Sequence, residues 1–97
     1  MKNIKIGIVG LGYVGIPLAI EFGKKFPTIG FDINPDRVNE LNNGIDRTKE
    51  VSKKDISRAR QLTFTYDNNL LKDCNLLTDE QMNRNLSICY FGNILTE

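Results

Sequence analysis

The length, composition and charge of this chain exclude several classes of protein. Its 97 residues suffice for one small domain, and 13 basic against 12 acidic side chains give a formal net charge of +1. Because the charges are mixed along the chain, they form no basic surface for nucleic acid or anionic lipid. Histidine is absent, and Cys74 and Cys89 lack C-x-x-C spacing. We therefore expect no metal site, and free thiols in a reducing compartment.

The first predicted strand runs directly into a glycine-rich turn. Ile4 to Val9 is a short apolar run, typical of a strand covered on both faces. Gly10, Gly12 and Gly15 follow at the spacing G-x-G-x-x-G. In a dinucleotide-binding fold these glycines allow a sharp turn, close approach of a pyrophosphate and tight helix packing. The N-terminus of the next helix then offers N–H groups to the anion. An ordinary strand–helix turn is the alternative interpretation.

A helix is predicted after this turn. It should start near Tyr13 or Val14 and run to about Phe26, where Pro27 stops it. Residues that recur every four positions predict the face toward the sheet: Val14, Leu18, Phe22 and Phe26.

The stretch from Ile6 to Ile20 also loosely imitates a secretory signal. It is too short to span a membrane, which takes about 20 apolar residues. It contains glycines and a proline, and no small-x-small cleavage site follows it. We therefore expect no membrane association and a cytoplasmic location.

The second predicted strand, Thr28 to Phe31, ends in Asp32. This acid lies 20 positions after Gly12, the distance at which a carboxylate accepts hydrogen bonds from a ribose hydroxyl. Because a carboxylate repels a 2′-phosphate, Asp32 predicts NAD as the cofactor. Arg37, in a short helix that follows, either contacts the adenosine end of the cofactor or is solvated, and both interpretations stay open.

The remaining elements complete one βαβαβ unit. Gly44 to Val51 is a polar loop, and Ser52 with Asp55 predicts a capped helix to about Gln61. Residues 62–66 alternate as a third strand, and Asp67 can cap a short helix over residues 68–73. The fold class is therefore α/β, a Rossmann-like parallel sheet with flanking helices. It is incomplete, because the length has room for the first βαβαβ half.

The sequence after Cys74 does not continue this pattern. A fourth strand should begin there, but residues 78–85 are polar and disfavour a strand. We therefore divide the chain into an NAD-binding Rossmann half, residues 1–75, and a divergent tail, residues 76–97, with a displaced strand at 86–91. Without a normal fourth strand the first strand has an open edge, which predicts homo-oligomerisation unless the tail fills it.

The glycine-rich turn and three later segments resemble the UDP-glucose/GDP-mannose dehydrogenase family. The turn reads Gly10-Leu11-Gly12-Tyr13-Val14-Gly15-Ile16-Pro17-Leu18-Ala19. The segments at 30–34, 43–51 and 62–65 are similar to the branch that acts on UDP-N-acetylhexosamines in surface polysaccharide synthesis. The resemblance covers roughly residues 1–75.

The family oxidises the C6 hydroxyl of a nucleotide sugar to a carboxylate with NAD, through a catalytic cysteine. The resemblance implies that Asp32 holds the adenosine ribose, that Arg37 lies beside it, and that five residues line the pyrophosphate: Gly10, Gly12, Tyr13, Val14 and Gly15. It implies no catalytic residue here, since the family's nucleophile and substrate domain come later in the chain.

We therefore expect the N-terminal NAD-binding portion of a truncated nucleotide-sugar 6-dehydrogenase, an oxidoreductase whose UDP-sugar is bound by a full-length parent. Alone, it should be inactive. A second hypothesis is a stand-alone nucleotide-binding or self-associating module without redox activity. A third is a partly unfolded remnant, because small domains bury a lesser fraction of their surface.

Overall fold

One five-stranded sheet organises the chain, in a computed structural model that describes residues 4–79 and 88–90. In sheet order the strands are β3 (Leu62–Thr65), β2 (Thr28–Phe31), β1 (Ile6–Val9), β4 (Leu76–Asp79) and β5 (Ile88–Tyr90). The first four are parallel, and β5 pairs with β4 in the antiparallel direction. The order 3-2-1-4 is that of the first four strands in the dinucleotide-binding order 3-2-1-4-5-6. The predicted fold class is confirmed.

The helices follow the strands in the predicted succession. They are α1 (Gly15–Gly23), α2 (Pro35–Asn42), α3 (Lys53–Arg58) and a 3₁₀ helix (Asn68–Asp73). None of the helices in the described ranges is long and apolar enough to cross a membrane.

The caps of α2 and α3 explain where these helices begin. The Asn34 side chain accepts a hydrogen bond from the Asp36 amide at 2.9 Å, and Pro35 occupies the first helical position, so α2 begins directly after Asn34. At α3, Ser52 and Asp55 form the predicted capping box. This helix ends at Arg58, before the predicted end, because the chain must turn into β3.

The predicted inward face of α1 is wrong at Val14, whereas Leu18, Phe22 and Phe26 pack against the core but are only partly buried. Val14 is 48% exposed, whereas the buried positions of the helix are Gly15, Ile16, Ala19, Ile20 and Gly23. Small residues within this face let the helix approach the sheet closely. A Cβ on Gly23 would lie 2.6 Å from the Leu62 Cβ. Large apolar side chains at 18 and 22 are therefore displaced to the border of the core, where they are partly buried.

The expectation of an open edge on β1 is also wrong. Strand β4 lies along that edge, with Ile6 opposite Leu76 and Val9 opposite Asp79. The pairing begins just before the strands, where the Asn75 amide donates to the Lys5 carbonyl over 2.9 Å. Backbone hydrogen bonds need no apolar side chains, so the polar residues Thr78 and Asp79 at the end of β4 do not prevent the pairing. The sheet thus continues past the predicted division at residue 75.

The run at 86–91, predicted as a displaced strand, lies partly outside the described residues. Its described part, β5, pairs with β4 and not with β1.

Candidate functional site

The turn of residues 10–15, here called the glycine turn, leaves the carboxyl end of β1. Gly10 has φ +96°, a conformation that residues with a Cβ rarely adopt. Its amide donates to the Phe31 carbonyl over 2.8 Å, which ties the start of the turn to the end of β2. The turn therefore begins at a fixed point at the carboxyl edge of the sheet, where open α/β sheets bind their ligands.

Helix α1 starts at the end of the glycine turn without a side-chain cap. Val14 occupies its N-cap position and has no hydrogen-bonding side chain, and the first turn contains no acidic residue. Each of the other described helices has a capping side chain, at Asn34, Ser52 and Asp67. The N-cap side chain of α1 thus does not occupy the positive end of the helix dipole, a position that suits an external anion. Tyr13 is 68% exposed beside it.

Asp32 connects the glycine turn to the loop after β2. Its Oδ2 accepts from the Leu11 amide at 3.0 Å, and its Oδ1 accepts from the Asn34 amide at 3.0 Å. A carboxylate offers about four acceptor positions, so these two bonds leave capacity for further donors. The side chain is half-buried at the edge of the turn. A ribose diol is the kind of group that such a carboxylate binds.

Arg37 lies under the glycine turn, and the interpretation of a solvated side chain is wrong. The Arg37 side chain is 8% exposed, and its Nε donates to the Leu11 carbonyl over 2.8 Å. Nη1 lies 2.9 Å from Glu40 Oε2 and 2.8 Å from Asp46 Oδ1. Nη2 is buried and has no hydrogen-bond partner among the described residues. The Leu11 carbonyl and the two carboxylates therefore hold the guanidinium in place beside the glycine turn.

Asp46 is a member of this cluster that sequence reasoning missed. Its side chain has no exposed surface. Oδ1 accepts from the amide and the hydroxyl of Thr48, at 3.0 and 2.7 Å. Oδ2 accepts from the amides of Glu50 and Val51, at 2.9 and 3.1 Å. The available signal was the D-x-T pattern in a polar loop. In this pattern the aspartate side chain typically accepts a hydrogen bond from the backbone two residues later.

The charges in the cluster balance each other. Burial raises the pKa of Asp46, but hydrogen bonds from Thr48, Arg37 and Val51 outweigh burial and lower this pKa to about 2. The pKa of Glu40 is lowered chiefly by its hydrogen bond with Arg47. Since both carboxylates are ionised at neutral pH, they neutralise Arg37. The Arg37 charge is therefore already paired with two carboxylates, and its Nη2, unpartnered among the described residues, is buried, so the guanidinium does not present a free charge to a 2′-phosphate.

These features fit a dinucleotide. The turn has a glycine in a left-handed conformation, the N-cap residue of the adjoining helix has no hydrogen-bonding side chain, and Asp32 keeps acceptor capacity at its edge.

Comparison with known proteins agrees with this geometry. Residues 4–77 match the UDP-glucose/GDP-mannose dehydrogenase family, NAD binding domain. The chain is 51% identical over 76 residues to UDP-N-acetyl-D-glucosamine 6-dehydrogenase of Pseudomonas aeruginosa, a match covering 78% of this chain and 18% of that protein. The enzyme of the same name from Salmonella typhi is 49% identical over 75 residues, which are 77% of this chain and 18% of that protein. The chain thus spans about a fifth of the length of these relatives.

A solved structure shows the same arrangement of strands and helices. The UDP-D-ManNAc dehydrogenase from Pyrococcus horikoshii superposes with a TM-score of 0.69 at 27% identity, covering 78% of this chain and 19% of that one. The predicted resemblance is confirmed, and the cofactor of the matched domain is NAD. The chain belongs to the UDP-glucose/GDP-mannose dehydrogenase family, and its residues 4–77 match the NAD-binding domain of that family.

Proposed function

We propose that this chain binds the adenosine diphosphate half of NAD at the glycine turn. The observation that carries the proposal is the hydrogen bond from the Leu11 amide to Asp32 Oδ2, which brings the ribose-binding carboxylate against the turn. The pyrophosphate is assigned to the five predicted residues of the turn: Gly10, Gly12, Tyr13, Val14 and Gly15. Asp32 is assigned to the adenosine ribose. Arg37 is assigned to the same subsite, where its contact with the Leu11 carbonyl supports the turn.

The charges near Asp32 favour NAD over NADP. A 2′-phosphate carries close to two negative charges and would lie against the Asp32 carboxylate. Arg37 does not offset this repulsion, because Glu40 and Asp46 already neutralise its guanidinium.

When bound, NAD would act as the hydride acceptor, and this chain would bind and orient the NAD. We propose that a full-length parent oxidises a UDP-N-acetylhexosamine for polysaccharide synthesis, as the names of the relatives suggest, and that the chain alone does not. Cys74 is not assigned as a nucleophile. It is 3% exposed, and burial raises the pKa of its thiol, whereas a cysteine nucleophile needs an accessible thiolate.

Calorimetric titration with NAD, ADP-ribose and NADP tests the binding site. NAD and ADP-ribose should bind with similar affinity. NADP should bind at least about tenfold more weakly, which corresponds to a difference of about 1.4 kcal/mol in binding free energy. Asp32→Asn should weaken NAD binding by about tenfold, while Asp36→Asn, which removes the same charge from an exposed position in α2, should leave it within about twofold. A folded chain that binds none of the three ligands would refute the proposal.

A second candidate, a nucleotide-binding module without redox activity, draws support from β5. In the complete fold the strand beyond β4 is parallel, whereas here the antiparallel β5 pairs with β4. An activity assay tests what the two candidates share. Reduction of NAD by the purified chain with UDP-N-acetylglucosamine would contradict both, and NAD binding without reduction is the result that both predict.

We also propose a cytoplasmic location, because Cys74 is a free thiol and NAD-dependent synthesis of nucleotide sugars takes place where NAD is available. Fractionation of cells that express the chain would test this location.

A further inference from the structure

A series of contacts joins the buried Asp46 carboxylate to the glycine turn. Asp46 Oδ1 lies 2.8 Å from Arg37 Nη1, and Arg37 Nε donates to the Leu11 carbonyl over 2.8 Å. On its other side, the Leu11 amide donates to Asp32 Oδ2 at 3.0 Å. Charged side chains therefore hold both backbone polar groups of Leu11, the residue between the first two glycines of the turn.

The Asp46 end of this series is itself firmly held. Three backbone amides and one hydroxyl donate to the carboxylate, all from residues 48–51. The side chain is fully buried, so solvent does not compete for these bonds. Asp46 is thus a fixed anion, and a fixed anion can hold the orientation of the guanidinium that faces it.

The geometry points to Asp46 as a positioning residue for the cofactor: it fixes Arg37, Arg37 fixes the Leu11 carbonyl, and the glycine turn is thereby held in its binding conformation. This inference rests on the proposed NAD site, to which it adds a residue that does not touch the ligand. A turn that is already ordered loses less conformational entropy when the ligand binds, so its affinity is higher.

The chemistry of arginine suits this role. The planar guanidinium donates in several directions at once, so Arg37 reaches Leu11, Glu40 and Asp46 together. A lysine at this position would keep the positive charge, but its ammonium could not reproduce the whole set of contacts. Arg37→Lys therefore separates the charge of the ion pair from the contact with the turn.

The competing explanation is that Asp46 closes its own loop and contributes to stability alone. Asp55 provides a matched control for that explanation. It is also an aspartate that accepts a hydrogen bond from a backbone amide, that of Ser52 at 2.9 Å, but it caps α3 and has no contact with the glycine turn among the described residues. Asp46→Asn and Asp55→Asn make the same chemical change in the same 97-residue chain.

The first experiment measures the Kd of NAD and the thermal midpoint for Asp46→Asn, Arg37→Lys, the double variant and Asp55→Asn. At a temperature where all are folded, Asp46→Asn and Arg37→Lys should each weaken NAD binding by about tenfold, and Asp55→Asn by less than about twofold. The double variant should be no weaker than the weaker single variant, because both changes act through one contact. Equal losses for Asp46→Asn and Asp55→Asn, or factors that multiply in the double variant, would overturn the inference.

The second experiment reads the turn directly, without NAD. Amide hydrogen exchange measured by ¹⁵N NMR should show a protected Leu11 amide in the parent chain, faster exchange in Asp46→Asn and Arg37→Lys, and unchanged exchange in Asp55→Asn. If the parent chain binds no NAD but shows this pattern, the proposed function fails and the positioning of the turn stands. If Leu11 exchanges equally in all variants, the inference fails even when NAD binds.

Arg37→Lys also decides the case in which Asp46→Asn does not fold. Wild-type NAD affinity and unchanged Leu11 exchange in Arg37→Lys would contradict the inference, whereas loss of both would support it.

Discussion

At the scale of single residues, the site combines polar groups whose partners lie far apart in the sequence. Asp32 reaches back to the Leu11 amide, and Arg37 reaches the carbonyl of the same residue. Arg37 also pairs with the buried Asp46 carboxylate. Removing one member of this pair would leave the other as a buried, unpaired charge, which destabilises the folded state. The Arg37–Asp46 pair is therefore expected to govern both the stability of the chain and its dependence on pH.

We predict a loss of stability in acid that Asp46 controls. The pKa of Asp46 is about 2 in the folded chain, against an ordinary value of 3.8 for an aspartate. Since folding lowers this pKa, the ionised carboxylate stabilises the folded state fully above pH 3.8, and this contribution is lost as the pH falls toward 2. Urea unfolding from pH 5 to pH 2 should show the decline.

The variant Asp46→Asn has no carboxylate to protonate at this position, so its stability should be lower at pH 5 and change less between pH 4 and pH 2. Equal pH dependence of the parent and the variant would show that other carboxylates cause the acid unfolding.

At the scale of elements, close packing and capping fix how each helix lies against the sheet. Gly23 places α1 against the start of β3, with the Cβ atoms of Leu62 and Ala59 as the nearest neighbours of the missing side chain. Ser52 fixes the beginning of α3 through its bond with the Asp55 amide at 3.1 Å. Both devices are local, and each can be tested by one substitution.

Gly23→Ala should destabilise the chain by about 1–3 kcal/mol. A Cβ there would lie 2.6 Å from the Leu62 Cβ, and neither atom can move without shifting its backbone. This steric cost should outweigh the gain in helix propensity from glycine to alanine, which is at most about 1 kcal/mol. Thermal or urea unfolding measures the change.

Gly30→Ala is the matched comparison. Its nearest neighbours are side-chain atoms beyond the Cβ of Leu11 and Phe64, at 3.2 and 3.3 Å, which is farther than the 2.6 Å at Gly23, so Gly30→Ala should cost less than Gly23→Ala. The reverse order would contradict the packing described for α1.

Ser52→Ala should lower stability by about 1 kcal/mol, because α3 loses its N-cap. Ser57→Ala, in the same helix, removes a hydroxyl that donates to the Lys54 carbonyl and caps nothing, so it should change stability little. Urea midpoints of the two variants give the comparison, and equal effects would exclude a specific role of the cap.

At the scale of the whole molecule, β1 is a central strand. It has β2 on one side and β4 on the other, so its backbone groups are paired within the chain. Self-association through an open β1 edge is therefore not expected of the intact chain. Strand β4 protects this edge, although its sequence continues into polar residues.

Leu77→Pro tests the position of β4. Proline removes an amide hydrogen from a strand that lies between β1 and β5, and should cost about 3 kcal/mol or more. Exposure of the β1 edge should then cause self-association that increases with concentration, measured by sedimentation velocity. Leu77→Ala keeps the amide hydrogen and should not self-associate. If the two variants are equally stable, β4 does not occupy a central position.

The sequence by itself determined the features that depend on neighbours along the chain. The spacing of Gly10, Gly12 and Gly15, the acid at position 32 and the cap at Ser52 are each encoded within a few residues or at a fixed distance set by one strand–helix–strand unit. These signals predicted the order of elements, the fold class and the family.

The tertiary structure alone decided which surfaces meet. The inward face of α1 depends on how closely β3 approaches Gly23, the cover of β1 depends on backbone pairing with β4, and the contact of Arg37 with Asp46 joins two segments that fold together in space. The physical reason is common to all three. Packing distances and hydrogen bonds between distant segments depend on the assembled fold, whereas periodicity and local propensity describe one segment at a time.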